Sequence, residues 1–292
     1  LIWCSAKAGI GYDKSKGGKM KWDGHTHSQF CRHGSADNTA LMVEKAIKLG
    51  FERYSIVEHA PLPDGIIDDP ETRLDFGLDW EELESYFQHM DDLKKIYGDR
   101  IEIMSGLEVD FLAGQESYTT ELLTECFEKL DDVILSLHFL PGKDGFEPLD
   151  YKPEVFESKL LSYYGSIDNV HLAYWEAVEG MIDTNLKLPV TKRIGHLGLI
   201  NKYAGRFQKT SARVTSNDFF EPLFKKIKSK GWALDFNVAG LKQKWYQDIY
   251  FTTPMQFWIR KLNIELVYGS DAHGVEAVGQ YYDQFLKFSK IS

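Results

Sequence analysis

The sequence predicts an α/β protein whose parallel strands close into a barrel, and three observations carry that expectation. Seven short segments of apolar alternation are separated by longer amphipathic stretches, so strand and helix alternate along the chain. That alternation is the pattern of a parallel sheet covered by helices. Polar residues able to do chemistry stand at the end of nearly every strand segment, and a closed barrel brings all those ends to one face, where such folds place their active sites.

The strands are expected at about 20–25, 53–59, 101–108, 131–139, 192–198, 232–238 and 264–270. Residues 39–50 form a helix with Asp37 or Asn38 as its N-cap and Gly50 at its end. A second helix, 80–97, follows Asp79 and stops at Gly98. Helical periodicity continues over 116–130, over 154–188 with a break near Gly165, and over 216–230, 254–262 and 275–290. The 154–188 stretch is a helical insertion between strands four and five of a single domain, 20–292. Residues 1–19 end in the polar run Lys14-Ser15-Lys16-Gly17-Gly18-Lys19 and stand apart as a flexible extension, with Met20 as a candidate natural start.

The 292 residues are 43% apolar, enough for a substantial core, and carry a formal charge of −10. Such a chain is not drawn to a nucleic-acid backbone, although a local basic site can still hold one phosphate. Cys4, Cys31 and Cys126 are too few and too scattered for a disulfide framework, and no apolar run approaches the roughly 20 residues that span a bilayer. With no export signal in the opening residues, the expected location is the cytoplasm.

The chemistry-bearing residues follow the strand ends. Strand one closes on His25-Thr26-His27, where side chains two apart share a face and both imidazoles can reach one metal. His33 follows in a Cys-Arg-His-Gly-Ser loop, and strand two ends in Glu58-His59. Strand three ends in Gly106-Leu107-Glu108-Val109-Asp110, strand four in His138, strand five in His196, and strand seven in Gly269-Ser270-Asp271-Ala272-His273. Seven of the nine histidines thus fall at one end of the barrel, which core histidines satisfied singly would not require. Imidazole and carboxylate donors favour divalent ions such as Zn, Fe or Mn, and nine candidate ligands imply two or three of them. His89 and His171 lie inside helical stretches and read as surface or packing residues.

In order and spacing these motifs resemble those of the PHP (polymerase and histidinol phosphatase) superfamily from residue 23 to 273, and most resemble the branch of bacterial histidinol-phosphate phosphatases. The stretch Glu58-His59-Ala60-Pro61-Leu62-Pro63 and the long insertion before His196 are similar to that branch. Many PHP proteins carry aspartate where this chain has Glu58. The resemblance implies a distorted (β/α)7 barrel with a trinuclear site. His25, His27, Glu108 and Asp271 would hold one metal, Glu108 as a bridge with His138 and His196 a second, and His33, His59 and His273 a third. The implied activity is metal-dependent hydrolysis of L-histidinol phosphate, a small phosphate monoester, with Glu108, Asp271 and His273 nearest the chemistry. Other PHP phosphoesterases acting on nucleotides, or a non-catalytic metal-binding protein, would share the motifs.

Phosphate needs cationic or hydroxyl donors beside the metals, and the candidates are Lys202 and Arg206 in the loop after His196, with Arg32 and Ser35 beside His33. Arg193 stands three residues before His196 and is expected to point away from it. The acidic loop 64–75 could face a substrate amine, and the aromatics Tyr163, Tyr164, Tyr174 and Trp175 fall at the helical spacing of core packing.

Overall fold

The computed structural model describes residues 20–67, 75–186, 188, 192–207 and 209–290. The extension 1–19 and the middle of the acidic loop, 68–74, lie outside the described residues.

Seven parallel strands form one sheet in the order β1 (Trp22–Thr26), β2 (Arg53–His59), β3 (Glu102–Asp110), β4 (Asp132–Ser136), β7 (Arg193–Ile194), β8 (Ala233–Asn237) and β9 (Leu266–Gly269). The last strand returns to the first through a parallel bridge between Thr26 and Ala272, with His27 N–H donating to the Ala272 carbonyl at 2.9 Å and Asp271 N–H to the His25 carbonyl at 2.8 Å. These bonds close the sheet into a barrel at the level of the histidine motifs.

Helices cover the outside. The first, α1 (Thr39–Lys48), is capped by Asn38, whose side chain accepts from Ala40 N–H. Asp37 is engaged elsewhere and accepts from Val275 N–H at 2.8 Å. A 3-10 turn, Trp80–Glu82, leads into α2 (Leu83–Tyr97), and Glu82 accepts from Asp79 N–H across its start. The third helix, α3, is Glu116–Cys126. The fifth, α5 (Asn217–Ser229), buries Phe220, Leu223, Phe224 and Ile227, one stripe at the 3.6-residue period. The remaining pair are α6 (Thr253–Lys261) and α7 (Tyr282–Lys290).

Four expectations change in detail, one of them the helix expected over 275–290, which is a 3-10 turn at Val275–Ala277 followed by α7. Strand four ends at Ser136, and the residues after it form a separate antiparallel hairpin, β5 (Phe139–Pro141) with β6 (Phe146–Pro148), because its backbone groups pair with each other and not with the barrel. The fifth strand of the barrel is only two residues long. The insertion breaks at Gly165, as its left-handed φ of 76° requires, and before it lie a turn of helix, a π-helical stretch Phe156–Leu161 and another turn. Beyond Gly165, Ser166 caps α4 (Ile167–Asp183), which buries Tyr174 and Trp175. Tyr174 hydroxyl donates to the Leu197 carbonyl at 3.0 Å and so ties the insertion to the loop after β7.

The lower interior of the barrel is closed by a buried ion pair. Arg193 Nη2 lies 2.6 Å from Asp132 Oδ2 and 2.7 Å from the Gly24 carbonyl, with its guanidinium 5.1 Å from the Trp22 ring centroid. The arginine therefore belongs to the barrel interior beneath the histidines.

His171 on α4 is buried, and desolvation pushes its imidazole down to about 4 against the opposing charge of Asp168. Its folded pKa lies below the unfolded value, so the folded state binds fewer protons between about pH 4 and 6.5 and loses stability as pH falls through that window. We predict that His171→Leu removes about 2 kcal/mol of the acid-dependent loss that the wild type shows between pH 7 and pH 4.5, where the unfolded imidazole protonates and the buried one does not. Urea unfolding at pH 7 and pH 4.5 measures it, and equal losses in the two proteins would refute it.

Candidate metal centre

The nine candidate ligands converge at the carboxyl ends of the strands. Parallel pairing sets His59 level with Glu108, and Asp110 level with Ser136. His25 and His27, two apart at the end of β1, share the inward face, and the pairing with β2 shifts register between Asp23 and Thr26. Glu108 sits at the middle. Its Oε2 is 3.3 Å from His25 Nε2, 3.6 Å from His27 Nε2 and 3.3 Å from His59 Nδ1, and its Oε1 is 3.0 Å from His196 Nε2 and 3.7 Å from His138 Nε2. Ser136 Oγ donates to Oε1 at 2.5 Å. Gly195 leaves the space for that serine, since a Cβ there would stand 2.0 Å from Ser136 Oγ.

Two smaller groups flank this one. Asp271 Oδ1 lies 3.3 Å from His27 Nε2 and 3.7 Å from His25 Nε2. On the outer side, His33 Nε2 and His273 Nε2 stand 3.0 Å apart, with the His59 ring 4.9 Å from that of His33 and 5.9 Å from that of His273, centroid to centroid. Among the described residues, ligand atoms lie within 4.8 Å of one another in three sets. These are His25 with His27 and Asp271, Glu108 with His138 and His196, and His27 with His59, His273 and the Cys31 thiol. Cys31 is a donor that the sequence reading did not include.

Most of these groups are aimed by a partner behind the ring. Asp235 Oδ2 is 2.7 Å from His25 Nδ1, Glu58 Oε1 is 3.3 Å from His27 Nδ1, and Asp110 Oδ1 is 2.9 Å from His138 Nδ1. Glu58 also accepts from Ser28 N–H, Ser28 hydroxyl and His59 N–H. Its place is therefore behind the histidines. Carboxylate backing of this kind fixes the tautomer and turns Nε2 toward the centre.

The donor set fits divalent cations. His33 Nδ1 donates to the Asp75 carbonyl and His273 Nδ1 to the Asp271 carbonyl, so in the neutral rings both Nε2 lone pairs face each other at 3.0 Å. A cation between two such pairs resolves the repulsion. His25 Nε2, His27 Nε2, both His59 nitrogens and Glu108 Oε2 are likewise buried without a sound hydrogen-bond partner, an arrangement that is costly unless a further group satisfies it.

Electrostatics say the same. Burial pushes the Glu108 carboxyl up, but His25 and His138 outweigh it and hold it well below the usual range. Burial opposes charge on His27 and His138, yet Asp271 and Glu58 raise the first to about 9, and Asp110 and Glu108 raise the second to about 10. Desolvation and the neighbouring His27 push His273 down to about 3.

The ligands open into a cavity of about 510 Å³. Two of the four phosphate candidates line it. Lys202 Nζ is 3.0 Å from Asp150 Oδ2, and Arg32 Nη2 is 2.7 Å from Glu82 Oε2. Arg206 does not line it and lies 3.7 Å from Glu157, while Ser35 Oγ donates to the His273 carbonyl at 3.0 Å. Asp150, Lys242 and Tyr250 line the cavity without having been singled out in the sequence. Asp110, Asp235 and Asn237 carried a signal of their own, polar residues inside buried strands, but the partners that give them a purpose are distant in the chain.

The PHP domain family matches residues 23–239. This chain belongs to the PHP family. As a PHP protein it is 36% identical to the histidinol-phosphatase of Bacillus subtilis (strain 168) over 268 residues, 92% of this chain and 99% of that one. It is 23% identical to the histidinol-phosphatase of Saccharomyces cerevisiae over 90% of this chain and 86% of that one. A candidate histidinol phosphatase from Listeria monocytogenes superposes with a TM-score of 0.86 at 37% identity, covering 91% of this chain and all of that one. The histidinol phosphate phosphatase of Lactococcus lactis, solved with Zn, L-histidinol and phosphate, shares the fold at a TM-score of 0.66 and 19% identity, over 92% of this chain and 94% of that one.

Because His27 and His138 hold protons near neutrality when no metal is bound, metal uptake must displace them. We predict that apparent metal affinity of the chelated protein rises between pH 6 and 9 as those protons become easier to remove. Titration calorimetry in two buffers of different ionisation enthalpy reads the proton count, and uptake that releases none would refute the assignment.

Proposed function

We propose that the protein is a histidinol-phosphatase, hydrolysing L-histidinol phosphate to L-histidinol and phosphate. The observation that carries the reading is end-to-end similarity to the Bacillus enzyme in a chain whose cluster opens into a cavity with both cationic and acidic walls. The barrel from Met20 onward would carry the activity as one domain, and a reducing cytosol suits the buried free thiols of Cys31 and Cys126. Among the described residues no helix is long and apolar enough to cross a membrane.

Two or three divalent ions, Zn, Fe or Mn, would be held by His25, His27 and Asp271, by Glu108 with His138 and His196, and by His33, His59 and His273. When bound they supply water of lowered pKa and charge to offset the phosphoryl oxygens. Glu108 reaches both inner sets and is assigned as the bridge. Lys202 and Arg32, on the cavity wall, draw in the phosphate and orient it. Asp150 is kept ionised by Lys202 and His138 against its burial, and it offers a counter-charge to the substrate's ammonium. Burial, Asp150 and Asp271 hold the Tyr250 phenol well above its ordinary value, so it stays a hydrogen-bond donor to a phosphoryl or leaving oxygen. Asp271 and His273 are assigned to proton transfer alongside ligation, and since His273 Nδ1 is taken by the Asp271 carbonyl, Nε2 is the nitrogen that either binds a cation or, when it does not, carries the proton.

Phosphate release from L-histidinol phosphate should exceed that from a nucleotide or a generic diester, vanish on chelation and return with Mn, Zn or Fe. Metal-restored activity on the other substrates alone would reject this substrate. Glu108→Gln should lower both turnover and bound metal, turnover by about 100-fold or more, whereas His171→Leu should change neither. A fully metallated and fully active Glu108→Gln enzyme would refute the bridging role.

A further inference from the structure

Strand β8 is the one barrel strand with no candidate ligand either in it or in the few residues that follow it, yet two polar residues near its end, Asp235 and Asn237, are buried. Asp235 and Asn237 lie two apart, on one face, each about 1% exposed. Asn237 Nδ2 is 3.0 Å from Asp235 Oδ2 and 3.1 Å from Asp271 Oδ2. Its own carbonyl oxygen is held by Ala239 N–H at 2.9 Å, which settles which end of the amide points at the carboxylates. The two protons of the amide therefore have two anionic acceptors.

Each of those acceptors leads directly to a ligand. Asp235 Oδ2 is 2.7 Å from His25 Nδ1 and also accepts from His196 N–H at 3.3 Å. Asp271 offers its other oxygen, Oδ1, toward His25 and His27. Asp271 itself has a left-handed φ of 54°, a conformation that a non-glycine residue holds only when its surroundings enforce it. Gly269 makes room for the arrangement, since a Cβ there would fall 2.1 Å from Asp235 Oδ1.

We infer that Asn237 is a positioning residue for the metal centre. By donating to Asp235 and Asp271 at once, it screens a buried and a half-buried carboxylate from each other. It also fixes the rotamer of His25 through the first and leaves Oδ1 of the second free to ligate. An amide is suited to this task where a carboxyl is not, because a carboxylate at 237 would add a third negative charge and remove both donors. The role concerns first the ion served by His25, His27 and Asp271, and the Glu108, His138 and His196 group is touched only through the His196 backbone N–H that donates to Asp235 and the contact of Glu108 with His25. The inference rests on the metal-centre reading but not on the identity of the substrate.

The test compares wild type, Asn237→Leu and Asn237→Asp, purified with metal and dialysed against graded chelator, with bound metal counted by elemental mass spectrometry. Cobalt-loaded protein is followed in parallel by its visible absorption, and the unfolding temperature of the chelated proteins is recorded. One metal equivalent is expected to weaken by about ten- to a hundredfold in both variants, with altered cobalt bands and the remaining equivalents unchanged. Unfolding temperatures of the chelated forms should stay close to wild type. Wild-type affinity for every equivalent in either variant would overturn the inference. So would a uniform loss of all equivalents together with a large drop in unfolding temperature, which would mark Asn237 as a general structural residue. A wild-type protein that holds no metal would instead remove the metal-centre reading beneath it.

Discussion

A single buried carboxylate, Glu108, faces five imidazoles within 3.7 Å, and the organisation of this end of the barrel follows from keeping that charge in place. An ionised carboxyl removed from water is tolerated only with positive charge and hydrogen bonds around it. The imidazoles supply part of that compensation, Ser136 supplies a donor, and bound divalent cations would complete it. The same requirement explains why the surrounding rings are backed by carboxylates and carbonyls. A ring free to rotate would present the wrong nitrogen to the centre.

The barrel makes that concentration of charge possible by separating two polar interiors. Below, Arg193, Asp132 and Trp22 fill the space between the strands with one compact ion pair, in which Arg193 Nη2 is bonded to Asp132 and the Gly24 carbonyl and the guanidinium lies near the Trp22 ring. Above, the histidines and acids are left with unsatisfied atoms that point toward a common centre. The lower pair fills the space between the strands, and the upper cluster leaves donor atoms of a kind that suits a divalent cation. Strand β8 serves the upper cluster from behind through Asp235 and Asn237.

The cavity wall joins opposite charges. Lys202 and Asp150 neutralise each other across 3.0 Å, which keeps both side chains ordered at the rim. A substrate carrying a phosphate and an amine can engage each member with its own opposite charge, so little is lost when the pair parts. A plain phosphate monoester finds only one half of that exchange, and this difference is a physical basis for selectivity.

How much was legible from the chain follows from the distance over which each feature acts. The alternation of strands and helices, a cap at Asp37 or Asn38, the break near Gly165 and the ligand motifs at strand ends are all local, and the sequence by itself determined them along with membership of the PHP family. The three-residue strands of the β5–β6 hairpin are too short to leave a period, and of the strand expected at 192–198 only the two residues of β7 pair in the sheet. Asp235 meets His25 across 210 residues, and Asn237 meets Asp271 across 34, so nothing near either residue announces its partner. Lys202 reaches the cavity while Arg206, four residues on, turns away to Glu157. Tertiary structure alone decided these matters, because a side chain's role here depends on which strands the closed barrel makes neighbours.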